Sequence, residues 1–224
     1  RDSLGRLGCA VCDDGRLRRF FIDHVGGRQD WTARAKTRMW WAAVAGGVVS
    51  GVPMCFQGTE ILQSGWWHTD KHMDWGLLGG EGSGLRKLLL GTGGCEESKQ
   101  MMVLVRAVLT LRKEHPGLVT SSPNVVHQDN KNLVFGVNRG GEYLAVMNAG
   151  HGQWGDGGSN LYLVAAGETT GPRARQIFNS QAREHGGWDD SWSSKSGQFD
   201  LAVDGGKLAL RLPKWSVCVF QFGQ

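Results

Sequence analysis

Three things are scarce in this 224-residue chain: charge of one sign, an orderly set of cysteines, and a long apolar run without breaks. Its 25 Lys and Arg residues are interspersed with 21 Asp and Glu residues. The densest basic stretches, 16–19 and 34–38, are short, so no nucleic-acid partner is expected. The five cysteines (Cys9, Cys12, Cys55, Cys95 and Cys218) are odd in number and scattered. That argues for a reducing compartment and against a disulfide scaffold. Cys9 and Cys12 form a lone CxxC without a second pair or a His pair at zinc spacing, and carry no metal or redox assignment. Residues 39–56 run without a charge for about the length of a membrane span. Gly46-Gly47, Ser50-Gly51 and Pro53 interrupt them, which suits a helix ending and a strand beginning, so no membrane is expected. Position 1 is Arg with no basic-then-apolar leader behind it, so the expectation is a processed chain or a fragment.

What is abundant lies elsewhere. Ten tryptophans stand against two tyrosines, with 35 glycines. Indoles fill cores, and exposed ones stack on the C–H faces of sugars.

Read along the chain, Asp30 caps a helix running to about Val49, basic and amphipathic first and apolar afterwards. Residues 52–56, Val-Pro-Met-Cys-Phe, lie between Gly51 and Gly58. They are too short for a helix and uniformly apolar, so they read as a parallel strand buried on both faces. A Gly-rich loop region follows over 57–97, with a helical turn at 74–78 that Asp74 would cap. Ser98 opens the clearest helix, with Glu96 and Glu97 at its positive end, Met101, Leu104, Val105, Val108 and Leu111 at helical spacing, and Pro116-Gly117 as its stop. Beyond it the texture changes. Strand-like runs at 132–138 and 142–148 flank Gly140-Gly141, a hairpin signal, and others fall at 161–165, 173–178, 199–203, 208–212 and 217–222. The expected architecture is α/β plus all-β: the C-terminal portion of a (β/α)8 TIM barrel over 1–117, then an antiparallel β-sandwich domain over 118–224.

Gly51-Val-Pro-Met-Cys-Phe-Gln-Gly-Thr-Glu60 resembles the eighth-strand segment of the α-amylase superfamily, glycoside hydrolase family 13. Its continuation, Gly65-Trp-Trp-His-Thr-Asp70 and Met73-Asp-Trp75, is similar to a loop of glucan-branching enzymes. Leu109-Thr-Leu-Arg-Lys113 resembles the end of that family's last barrel helix. Gln176-Ile-Phe-Asn-Ser180 and Leu212-Pro-Lys-Trp-Ser216 resemble its C-terminal β domain.

The resemblance implies a 1,4-α-glucan branching enzyme, an intracellular transferase of cytoplasm or plastid stroma acting on starch or glycogen. It implies a retaining mechanism between two carboxyl groups and no cofactor. No catalytic residue is assigned, because the family's nucleophile and acid/base belong to earlier strands. Its His-Asp motif has no counterpart in residues 4–15, and Phe21-Ile-Asp-His24 carries those letters in the wrong order. The isolated chain is therefore expected to be inactive, with an exposed strand edge and apolar helix face.

The candidate substrate-binding residues are Gln57 and Glu60, at the rim where a barrel strand would end, and Trp66, Trp67 and Asp70 in the loop beyond. Gln57 and Glu60 could equally brace neighbouring loops, and the indoles could wedge the loop in place. Trp75 reads as core. His68 and His72 are four apart around Asp70 but lack the Glu of helix-borne zinc sites, so no metal is assigned. Trp188 and Trp192 sit in a polar loop that is either an exposed turn with one packed Trp or an auxiliary glucan surface. Two readings compete with branching: a glucan-binding module without catalysis, and a debranching or other hydrolase of the same superfamily.

Overall fold

The structure is a computed structural model, and it describes Ile22 and residues 26–65, 72–79, 95–155 and 158–223. Two helices lie against a six-stranded sheet, and a two-stranded sheet covers the opposite face.

Helix α1 (Trp31–Ala45) starts where Asp30 Oδ1 accepts the Thr32 N–H at 2.8 Å. Ala33, Thr37, Trp41 and Ala45, each four residues apart, form its buried stripe. It stops four residues short of Val49, because Gly46 caps it and Gly47 takes φ +92°. A Cβ on Gly47 would also lie 2.9 Å from the Leu118 carbonyl, so the turn needs glycine for space as well as for conformation. Helix α2 (Glu96–Glu114) keeps its acidic first turn and its apolar stripe from Met101 to Leu111, and Arg112 and Lys113 fill its last turn. The one-turn α3 (Gly117–Thr120) leads into the strands.

The strands are β1 (Pro123–Asp129), β2 (Val134–Arg139), β3 (Tyr143–Asn148), β4 (Tyr162–Ala165), β5 (Arg173–Asn179), β6 (Leu201–Ala202), β7 (Lys207–Leu210) and β8 (Ser216–Gly223). The large sheet runs β1-β2-β3-β8-β5-β6 and the small one β4-β7. All ladders among the described residues are antiparallel, with one isolated parallel bridge between Ala182 and Asp189. Gly140 and Gly141, at φ +60° and +76°, turn β2 into β3 as the glycine pair foretold.

Alternation along the central strands builds two cores. Tyr143, Ala145, Val217 and Val219 face Trp41, Met101, Leu104 and Val108 of the helices. Leu144, Val146, Cys218 and Phe220 face Val164, Leu208 and Leu210 of the small sheet. Buried Arg139 joins the glycine turn after α1 to β2. Its Nε donates to Gly47 O at 2.7 Å, and its guanidinium nitrogens donate to Ser121 O and Ser50 Oγ.

This arrangement bears out the antiparallel β part of the expected fold and corrects the barrel part. The architecture is mostly antiparallel, and no part of a TIM barrel is evident among the described residues. Residues 52–56 are not a strand: they belong to no ladder, Val52 is 95% exposed and Met54 63% exposed. An apolar run becomes a buried strand only when neighbours hydrogen-bond its two edges and cover its two faces, and no described strand flanks this one.

Candidate functional site

The stretch that follows 52–56 folds into a tight turn with specific bracing. Phe56 O accepts both the Thr59 N–H at 3.0 Å and the Thr59 hydroxyl at 2.6 Å. Gly58 takes φ +95°, and a 3₁₀ turn spans Thr59–Ile61. Glu60 serves as a brace here: its Oε2 accepts the Gly58 N–H at 2.8 Å and the Cys55 thiol at 3.6 Å. Partial desolvation, with the charge and hydrogen bond of Glu60, pushes the thiol of Cys55 up to about 12 although the residue as a whole is exposed, which favours its protonated form. Gln57 is exposed beside this turn.

Leu62 then adopts φ +55°, a left-handed conformation that is rare for a branched side chain, and is fully buried there. It delivers Gln63, a polar residue that is buried as well. Gln63 Oε1 accepts the Asp74 N–H at 3.1 Å, and Gln63 Nε2 donates to His72 O at 3.5 Å. One amide thus holds the segment that returns at residue 72 against the turn that the chain left at 63. Asp74 occupies the N-cap position of the 3₁₀ turn Trp75–Leu78, as expected, though its side chain makes no capping bond there. Cys95 N donates to Leu77 O at 2.7 Å and carries the frame to the start of α2.

Of the five sequence candidates, the described residues include Gln57 and Glu60, which lie together on the turn. Trp66, Trp67 and Asp70 fall outside the described residues, as does His68. Gln63 went unnoticed in the sequence; its signal was one amide after the apolar pair Ile61-Leu62. Trp75 is a correction, being 57% exposed rather than core. Its turn lies at the outer edge of the frame, where no described element covers the indole. No group of three His, Cys, Asp or Glu side chains among the described residues is placed to hold a metal ion. No described helix is long and apolar enough to cross a membrane.

The other tryptophan loop divides its two indoles. Trp192 is buried, donating from Nε1 to Gln176 O at 3.3 Å, while Trp188 is half-buried and tilts against Trp31 with ring centres 5.9 Å apart.

No protein-family model matches the sequence, and no curated protein matches it either. Solved structures do match its fold. An α-amylase from H. orenii superposes with a TM-score of 0.57 at 15% identity, over 92% of this chain and 38% of that one. A debranching enzyme from Nostoc punctiforme gives 0.52 at 16% identity, over 84% and 31%. AmyP, solved in complex with maltotriose, gives 0.57 at 9% identity, over 91% and 37%. The likeness is one of fold. The chain spans about a third of the length of these neighbours.

Proposed function

We propose that this chain is the C-terminal portion of a glucan-processing enzyme of the α-amylase superfamily, and within it of a 1,4-α-glucan branching enzyme. The observation that carries the proposal is the superposition of 92% of the chain on an α-amylase, joined to the branching-type signature of residues 65–75. In this reading residues 1–117 belong with the catalytic part and 118–224 form the β domain. Gln57, Glu60, Trp66, Trp67 and Asp70 contribute to a glucan-facing lip, and the protein works in the cytoplasm or plastid stroma.

The chemistry follows from the reaction class. A carboxylate attacks the anomeric carbon while a carboxylic acid protonates the departing glycosidic oxygen. A 6-hydroxyl of another chain then displaces the carboxylate and returns its proton to the same acid/base. This chain's described residues hold no such pair in the braced turn, where Glu60 is spent on the Gly58 N–H and the Cys55 thiol. Its part is to carry the lip, with Gln63 fixing where the 64–71 segment leaves and returns.

Amylose treated with the protein expressed together with its upstream reading frame distinguishes the alternatives. Branching shifts the iodine colour without creating reducing ends, whereas debranching or hydrolysis creates them. The isolated chain is expected to do neither yet to be retained on amylopectin, with retention weakened in Trp66→Ala/Trp67→Ala. An enzyme that liberates reducing ends would overturn branching. A chain that passes through amylopectin unretarded would overturn the lip.

A further inference from the structure

A cleft of about 110 Å³, open on one side, lies where α1, α2 and the turn at Gly186-Gly187-Trp188 meet. It lies at the N-terminal end of α2, where Leu62 of the braced turn also reaches it while Gln57 and Glu60 do not line it. The turn reaches the helix because two residues there lack side chains. A Cβ on Gly186 would stand 2.7 Å from Gln100 Cβ, and one on Gly187 would stand 2.1 Å from Gln181 O.

Arg38 forms the floor. It is buried with no carboxylate among its hydrogen-bond partners, and all of those partners are neutral oxygens. Nε donates to Gln181 Oε1 at 3.1 Å, Nη1 to Gln100 O at 3.2 Å, and Nη2 to Ser180 O and His185 O, both at 2.7 Å. A guanidinium carries five N–H bonds, so one on Nη1 is left over. Burial lowers the pKa of Arg38 to about 9, still charged near neutral pH. The indole Nε1 of Trp188, a donor only, is also buried and has no partner.

The Glu97 carboxylate also lines the cleft, with Arg34 near it. Its Oε2 accepts the Cys95 thiol at 2.8 Å, and that bond, with Arg34 and Arg28 nearby, holds its pKa below the ordinary value. The Trp31 and Trp188 rings supply the apolar wall, with the Lys214 ammonium 5.0 and 5.9 Å from their centres.

A ligand for such a cleft needs an apolar face, acceptors for two unpaired N–H groups, and a hydroxyl donor for a carboxylate. An inorganic anion would be drawn by Arg34 and Arg38 but would meet Glu97 with like charge and leave the indole faces without a partner. A hydrocarbon would leave the indole and guanidinium N–H groups unpaired. A pyranose ring, with C–H faces and a hydroxyl rim, fits all three demands. The cleft is small and open on one side, so a seated ring would keep one edge in solvent.

We propose that this cleft is a second glucan contact, seating a single terminal pyranose ring of an α-glucan between Trp188, Arg38 and Glu97. The assignment rests on the glucan-handling reading above. It lies on the seam between the helices and the β layer and involves none of the lip residues.

The test is isothermal titration of the chain with maltose. The variants are Trp188→Phe, which keeps a ring and removes the N–H, Glu97→Gln, which removes the charge, and Trp66→Ala/Trp67→Ala, with thermal melts to confirm folding. Maltose affinity is expected to fall about tenfold in each of the first two, the usual scale for one lost hydrogen bond to a charged or buried group, and to survive in the third. Maltose binding that Trp188→Phe and Glu97→Gln leave intact but Trp66→Ala/Trp67→Ala abolishes would overturn the cleft and leave the glucan reading standing. An absence of binding to maltose or amylopectin by the parent chain would overturn both. Equal, Trp188-dependent binding of glycerol and maltose would also overturn the proposal, since the cleft would then be a polyol site without preference for a sugar ring.

Discussion

Residues 52–56 and strand β8 are both short apolar stretches entered from a tight turn, and they meet opposite fates. β8 has β3 hydrogen-bonded on one edge and β5 on the other, with helices over one face and the small sheet over the other. Val217, Cys218, Val219 and Phe220 are accordingly sealed from solvent. Residues 52–56 have no ladder on either edge, and Val52 and Met54 face outward. Burial of a β run is thus a property of its neighbours as much as of its own residues, and this apolar pentad without flanking strands stays irregular.

The largest effect that separates the two belongs to β8. Phe220→Ala removes a ring packed between sheets, and is expected to cost about 3–5 kcal/mol of unfolding free energy in urea titration. A loss under 1 kcal/mol would mean that the inter-sheet core is not what holds the β layer. Next comes the frame around the apolar turn. Gln63→Ala leaves the Asp74 N–H without its acceptor and is expected to cost about 1–3 kcal/mol. Hydrogen exchange at residue 74 should rise, while the amides of β8 stay protected.

Acid sharpens the comparison from another side, because its effect falls on the β layer. Burial lowers the pKa of His127 and of His185 from the ordinary 6.5. Neutral His127 accepts the Ala165 N–H at Nδ1 and lies 3.2 Å from Tyr162 Oη, tying β1 to β4. The folded protein therefore binds fewer protons than the unfolded chain below about pH 6.5. Stability is complete above that pH and declines as pH falls through it toward the lowered folded values. Melting midpoints between pH 8 and pH 5 should drop, and His127→Gln should flatten the slope; a midpoint that rises on acidification would falsify this account. The smallest effect is expected at the exposed pentad, where Val52→Ser should change stability by less than about 0.5 kcal/mol. A larger loss would show that 52–56 is packed in solution.

How far the fold could be read in advance follows the same logic. Helix α2 was legible because charge, spacing and the Pro116-Gly117 stop agree over its full length. The β2–β3 hairpin was legible because two glycines sit between alternating runs. β1 was missed: it lies at the sheet edge, largely exposed, and a bulge between Val125 and His127 breaks its alternation. The end of α1 was placed four residues late, since apolar residues continue past Gly46-Gly47 and only the approach of Leu118 forces the turn. In the candidate site, Gln57 and Glu60 could be named because they follow an apolar run. Gln63 could not, because its role depends on a backbone segment that returns nine residues later.

That amide has a practical consequence. Because Gln63 fastens the backbone at His72 and Asp74 to the turn at Thr59–Ile61, these points of the chain move as one body, and a substitution at this single amide would release both partners at once.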